Sequence, residues 1–89
     1  MAKKMKLENE RADLLMATRN DCDALYVALK AWNETSGEEL RELDDWWVGL
    51  SDRSKDKLIE ANQKDWDYQI GALVQGAGLC NEAFIAAME

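Results

Sequence analysis

Six carboxylates, Glu34, Glu38, Glu39, Glu42, Asp44 and Asp45, crowd twelve residues at the middle of the chain, against the single base Arg41 and beside the adjacent pair Trp46-Trp47. Acids at this density can share a proton, hold a divalent cation, or meet a basic surface. The first two uses need burial or convergence from different elements. Asp44-Asp45 and Glu38-Glu39 are chain neighbours on what reads as a solvated helix face, so the third use is expected. Tryptophan beside them strengthens that expectation, because Trp is enriched among binding hot spots.

The other chemistry-bearing residues offer less. There is no histidine to act as a base near neutral pH, and no nucleophile elbow, Walker or dinucleotide-binding pattern occurs. Cys22 and Cys80 stand 58 positions apart with no Cys-x-x-Cys. Two isolated cysteines do not make a zinc site, and they are read as buried free thiols in a reducing compartment. Asp52-Arg53-Ser54-Lys55-Asp56 has the opening rhythm of a calcium loop, but it lacks the central glycine and places Gln63 where the bidentate glutamate would stand. No enzyme activity, cofactor or metal is expected.

The elements that must position these residues follow from composition and period. Of 89 residues, 47% are apolar and 33% charged, with five glycines and no proline. That is the make-up of one small helical domain. The net charge of −7 disfavours direct binding to nucleic acid or anionic membranes and favours a basic partner. Lys3, Lys4 and Lys6 open the chain, yet Leu7-Glu8-Asn9-Glu10-Arg11 follows where a signal peptide would be apolar. No window approaches a membrane span, and the chain is expected in a cytoplasm.

Three main helices are expected, at roughly residues 3–32, 37–50 and 53–88. In the first, Leu7, Leu14, Cys22, Leu25, Leu29 and Trp32 keep a three-and-four spacing. The polar run Thr18 to Asp21 is its weak point, but with no Gly or Pro it is read as continuous. Asn33 to Ser36 reads as a turn, with Ser36 and Glu39 forming a capping box. Leu40, Leu43, Trp47 and Leu50 then share one face, and Trp46 points about 100° away from Trp47. Ser51 or Asp52 caps the third helix. Its stripe is Leu58, Asn62, Trp66, Ile70, Leu73, Ala77, Cys80, Phe84 and Ala87, with a split near Gly76 to Gly78 as an equal alternative. Unbroken, such helices would overhang a compact domain. They would then pair with a second copy, and a continuous last helix would present Ala72, Gly76 and Ala77 as a smooth surface where another backbone approaches closely.

Trp32, Trp47 and Trp66 fall on core stripes, which leaves Trp46 as a candidate interface anchor and Tyr68 as a second. The partner-binding residues expected are Trp46, Glu38, Glu39, Glu42, Asp44, Asp45 and Tyr68. Two functions from different classes fit. One is an antagonist that covers a basic, often nucleic-acid-binding, surface of another protein. Phage-encoded inhibitors acting in a host cytoplasm are similar in size and composition, with no motif behind the likeness. The other is a homo-oligomeric structural or assembly adaptor, acidic only for solubility.

Overall fold

A computed structural model describes all 89 residues. It is 89% helical and contains no strand, so the all-α expectation holds. The count of three helices does not. Five rods are present: α1 (Ala2–Thr18), α2 (22–48), α3 (Asp52–Ala61), α4 (Gln63–Ala77) and α5 (Asn81–Met88).

The expected first helix breaks at its polar run. Asp21 is extended, and its side chain accepts from the backbone N–H groups of Asp23 and Ala24, capping α2. That cap supplies the stop for which no Gly or Pro was needed. The expected turn at Asn33 to Ser36 is instead helical. Cys22–Trp32 continues through a π-helical turn, Asn33–Gly37, into Glu38–Val48. No Ser36 capping box forms, since the second half of α2 begins without a side-chain cap. Thr35 Oγ1 donates to the carbonyls of Ala31 and Trp32, so the widened turn satisfies its own polar groups. Asn33 then ties the turn to the rest of the fold by donating to the Ala87 carbonyl and accepting from Arg41 Nη1.

Later boundaries are mixed. Ser51 caps α3 by accepting from the Ser54 N–H, as its position suggests. A further break falls at Asn62, whose side chain turns back to the Leu58 carbonyl. The last break lies at Cys80, just beyond the glycines, and α5 leaves α4 at 111°. With the rods shortened in this way, the molecule measures 39 × 23 × 18 Å.

The main core joins Ala12 and Leu15 of α1, Leu25 and Leu29 of α2, Ala72 of α4, and Cys80 and Ala87 at α5. Leu15, Leu25 and Leu29 are fully buried, worth about 1.5–3 kcal/mol each in apolar transfer. A second cluster, Leu7, Trp32 and Leu40, holds α1 to both halves of α2 across the π turn. By contrast, α3 buries no residue at all.

The expected stripe holds in part: Leu73, Cys80, Phe84 and Ala87 reach the main core, whereas Ile70 is exposed and Gln69, Ala72 and Gly76 face inward instead. Close approach to α1 explains this: a Cβ on Gly76 would lie 2.8 Å from Leu15 Cβ. Small residues win over large ones because the two backbones nearly touch. Ala72 and Gly76 therefore serve packing within the chain, and the expected dimer surface there is spent.

The cysteines are also corrected. Cys22 and Cys80 are bonded to each other, with Cα atoms 5.3 Å apart, and no free thiol remains. The bond staples the start of α2 to the corner before α5.

Candidate functional site

The acidic segment is the second half of α2, and it divides into an inner and an outer edge. On the inner edge Glu39 pairs with Lys3. Asp44 meets Lys4 Nζ at 3.1 Å, and the same ammonium sits 2.6 Å from Glu8 Oε1. Lys3 is exposed, and its hydrogen bond to Glu39, with the charges of that carboxylate and of Glu42, raises its pKa above the usual lysine value. An exposed pair of this kind adds little stability.

Lys4 is a different case. Its side chain is only 4% exposed, and its ammonium lies 5.6 Å from the centre of the Trp47 ring. The Trp47 ring in turn faces Trp66 of α4, centroid to centroid at 5.6 Å and tilted by 34°. One buried cation thus gathers Glu8 of α1, Asp44 of α2 and the tryptophan pair into a single knot. Removing it strands the largely buried Glu8 carboxylate. Lys4→Ala is expected to cost about 2–3 kcal/mol, as for a lost charged hydrogen bond in a partly buried pair. Urea denaturation measures this, and adding Glu8→Ala to Lys4→Ala should recover part of the loss.

The outer edge keeps Glu38, Glu42 and Asp45, all exposed and none in an ion pair. Their spacing of four and three places them on one stripe, about 10 Å long. Trp46 follows on the same side, four residues past Glu42, and remains 43% exposed. Of the residues expected to bind a partner, the structure thus gathers four on the outer edge of α2. It pairs Glu39 and Asp44 with lysines of α1, their side chains staying 42% and 49% exposed.

Tyr68 belongs elsewhere. It lies on α4 and donates its hydroxyl to Asp13 Oδ1 of α1 at 2.5 Å. It extends a polar seam in which Gln69 Nε2 donates to Asn9 Oδ1 and Asn9 Nδ2 donates to Asp65 Oδ1. That hydrogen bond, then desolvation and the Asp13 charge, raises the Tyr68 pKa above its ordinary value near 10. The folded chain therefore holds this proton more tightly than the unfolded chain. The stabilisation is complete below the ordinary tyrosine pKa and is lost as pH rises through the raised value. Thermal melts of wild type and Tyr68→Phe from pH 9 upward should show the wild-type advantage shrinking only above about pH 10.

Lys4 and the Tyr68–Asp13 contact escape sequence reasoning. The lysine looks like part of a solubilising helix end. The only cue was that the sole basic stretch and the acidic stretch share one small domain, where opposite charges have few other partners.

No group of three or more acidic or cysteine side chains is arranged to hold a metal ion. The cleft lined by Glu8, Arg11, Trp66, Gln69, Ile70 and Leu73 encloses about 100 Å³, and three larger ones enclose about 560, 530 and 400 Å³. The largest is lined mainly by polar and charged side chains, Lys6, Asn9, Glu10, Asp13, Asn62 and Asp65 among them, unlike the mostly apolar lining of usual small-molecule sites. No single helix is long and apolar enough to cross a membrane. Compared with protein-family models, curated proteins and solved structures, the chain matches none.

Proposed function

We propose that this chain is a non-catalytic antagonist whose outer α2 face covers a basic, often nucleic-acid-binding, surface of a partner protein. The observation that carries the reading is the division of the acidic segment. Glu39 and Asp44 are paired within the chain with Lys3 and Lys4, the latter shared with Glu8, while Glu38, Glu42 and Asp45 stand in no ion pair, in one row beside the half-exposed Trp46. The row supplies steering and charge complementarity. Trp46 supplies an apolar anchor whose burial does not depend on charge. Anchored on α1 through the Lys4 knot and the Leu7–Trp32–Leu40 cluster, the row is held rigid before binding. Less conformational entropy is then lost in the complex.

The site of action proposed is a cytoplasm, that of a host cell if the chain is phage-encoded. With Cys22 and Cys80 bonded, free thiols no longer argue for it. A reducing compartment would remove the bond, so the reading requires the reduced chain to keep α2 ordered.

The experiment is affinity capture from the native cell's lysate with wild type, Trp46→Ala, and the triple variant Glu38→Gln/Glu42→Gln/Asp45→Asn. Wild type is expected to recover one stoichiometric basic protein, the triple variant to lose it, and Trp46→Ala to recover much less. Recovery of no partner, or equal recovery by the triple variant, would overturn the reading.

A further inference from the structure

The Cys22–Cys80 bond joins two helix starts that differ in what else holds them. At the start of α2, Asp21 accepts from two backbone N–H groups, and Leu25 and Leu29 follow, fully buried in the main core. That end is secure without the bond. At the start of α5, by contrast, no side chain caps the helix. The helix is 8 residues long, short of the roughly 12–15 residues at which an isolated helix becomes even marginal in water. Ala87 is its one buried residue. Ala83 and Phe84, partly buried, pack on the same core, and a single side-chain hydrogen bond, from Asn33 Nδ2 to the Ala87 carbonyl, reaches α5 from the rest of the chain.

The two sulfurs differ as well. Cys22 is exposed, whereas Cys80 is only 4% exposed. Both border an open cleft of about 530 Å³, which also holds Asp23 and Glu82 but no basic residue. A small neutral or cationic thiol entering it therefore meets the sulfur of Cys22 first.

We propose that the bond is a redox latch on α5: an external thiol opens it at Cys22, and its opening frees α5 while α1, α2 and α4 stay folded. The thiolate of the reductant bonds to Cys22 Sγ, the Cys22–Cys80 bond breaks, and Cys80 leaves with the electron pair and takes a proton from water. A second thiol then attacks the reductant's own sulfur in this mixed disulfide and releases Cys22 as a thiol. The chain gains two electrons and two protons, and two external thiols, or one dithiol, leave as a disulfide. Once Cys80 is released, α5 departs from α2 and opens the main core over Leu25 and Leu29. The acidic row is not carried along, because Leu7, Trp32 and Leu40 and the Lys4 contacts that hold it belong to α1 and α2. The latch does not rest on the antagonist role.

Two measurements on the full chain test this. In the first, the oxidised chain meets the cationic thiol cysteamine in native buffer, and the mixed disulfide is trapped with acid and mapped by mass spectrometry. It is expected on Cys22 about tenfold or more over Cys80, since access decides which sulfur is attacked. A mixed disulfide mainly on Cys80, or none until denaturant is added, overturns the proposal. In the second, amide hydrogen exchange is compared for the oxidised chain, the chain reduced with dithiothreitol, and Cys22→Ser/Cys80→Ser, which lacks the bond without any reductant. In the last two, the amides of Phe84 to Glu89 are expected to exchange about tenfold or more faster, near the rate of an unstructured peptide, while those of α1, α2 and α4 remain protected. Unchanged protection of α5 would show that packing alone holds it. Loss of protection throughout α1, α2 and α4 would show that the bond guards the whole fold, and either result overturns the latch.

Discussion

Reduction of the Cys22–Cys80 bond is expected to lower the melting temperature by roughly 10–20 °C. The bond joins residues 58 apart. Closing a loop of that length removes enough unfolded-chain entropy to be worth about 4 kcal/mol in the simple model, and native bonds typically deliver about 2–4 kcal/mol. In a domain of this size each kcal/mol moves the midpoint by about 4–8 °C. The position of the bond adds to the case, because Cys80 is part of the buried core and sits at the corner from which α5 departs. Without the staple, the α2–α5 packing must hold that corner alone. Thermal melts followed by circular dichroism, with and without a dithiol reductant, measure the shift. The double variant Cys22→Ser/Cys80→Ser should match the reduced wild type to within a few degrees, about the size of a small surface effect. A shift below about 3 °C would mean that the bond closes a contact the rest of the fold already holds.

Leu15→Ala is expected to cost about 3–5 kcal/mol, and Gly76→Ala to cost about 0–2 kcal/mol net. Leu15 is fully buried at the centre of the main core. Its truncation loses apolar transfer energy and leaves a cavity, because helices held from two sides cannot collapse onto it. Gly76 carries opposing effects. Alanine in a helix is favoured over glycine by about 1 kcal/mol. The added methyl, however, would stand 2.8 Å from Leu15 Cβ and 3.0 Å from Leu15 Cδ2. Crowding of this kind costs about 1–3 kcal/mol. The nearer atom decides the outcome. A Cβ moves only with its backbone, so α1 and α4 must separate. For the same reason Leu15→Ala, which keeps that Cβ, should not rescue Gly76→Ala in the double variant. Urea denaturation of the two single variants and the double tests this, and a Gly76→Ala protein more stable than wild type would contradict the close approach.

The all-α class was legible because it depends on composition: no proline, many strong helix formers, and an apolar period near three and a half. Caps were legible where one residue decides the local backbone, as Ser51 does. Asp21 carries the same kind of signal, and it breaks the helix although no Gly or Pro is present. In the structure two side-chain hydrogen bonds suffice for the break. At Asn33 to Ser36 the local signal pointed to a turn and tertiary contacts overrode it. Trp32 and Leu40 both pack on Leu7, and the chain between them accommodates this as a widened helical turn. The close backbone approach expected at Ala72 and Gly76 is present, with α1 as the neighbour, whereas Ile70, placed inside by period alone, is exposed. Nothing local announces a partner 58 residues away, so the disulfide was invisible.

The acidic segment shows the same division between local and tertiary information. That six carboxylates surround Trp46-Trp47 is plain from the sequence, and helical spacing alone puts Glu38, Glu42 and Asp45 in one row. Which carboxylates are spent on internal lysines is a tertiary fact, set by how α1 crosses α2. Tyr68 shows the converse, since its position beside Trp66 in sequence does not put it near Trp46. Its hydroxyl is committed to Asp13.

The most direct test of the α2 face is the affinity of the captured partner for wild type and for Glu38→Gln/Glu42→Gln/Asp45→Asn across a salt series. Wild-type binding should weaken steeply as salt rises. The triple variant should bind more weakly at low salt and follow a flatter dependence, because three of the charges that respond to screening are gone. Equal affinities and equal slopes for the two proteins would show that the partner is held by some other surface.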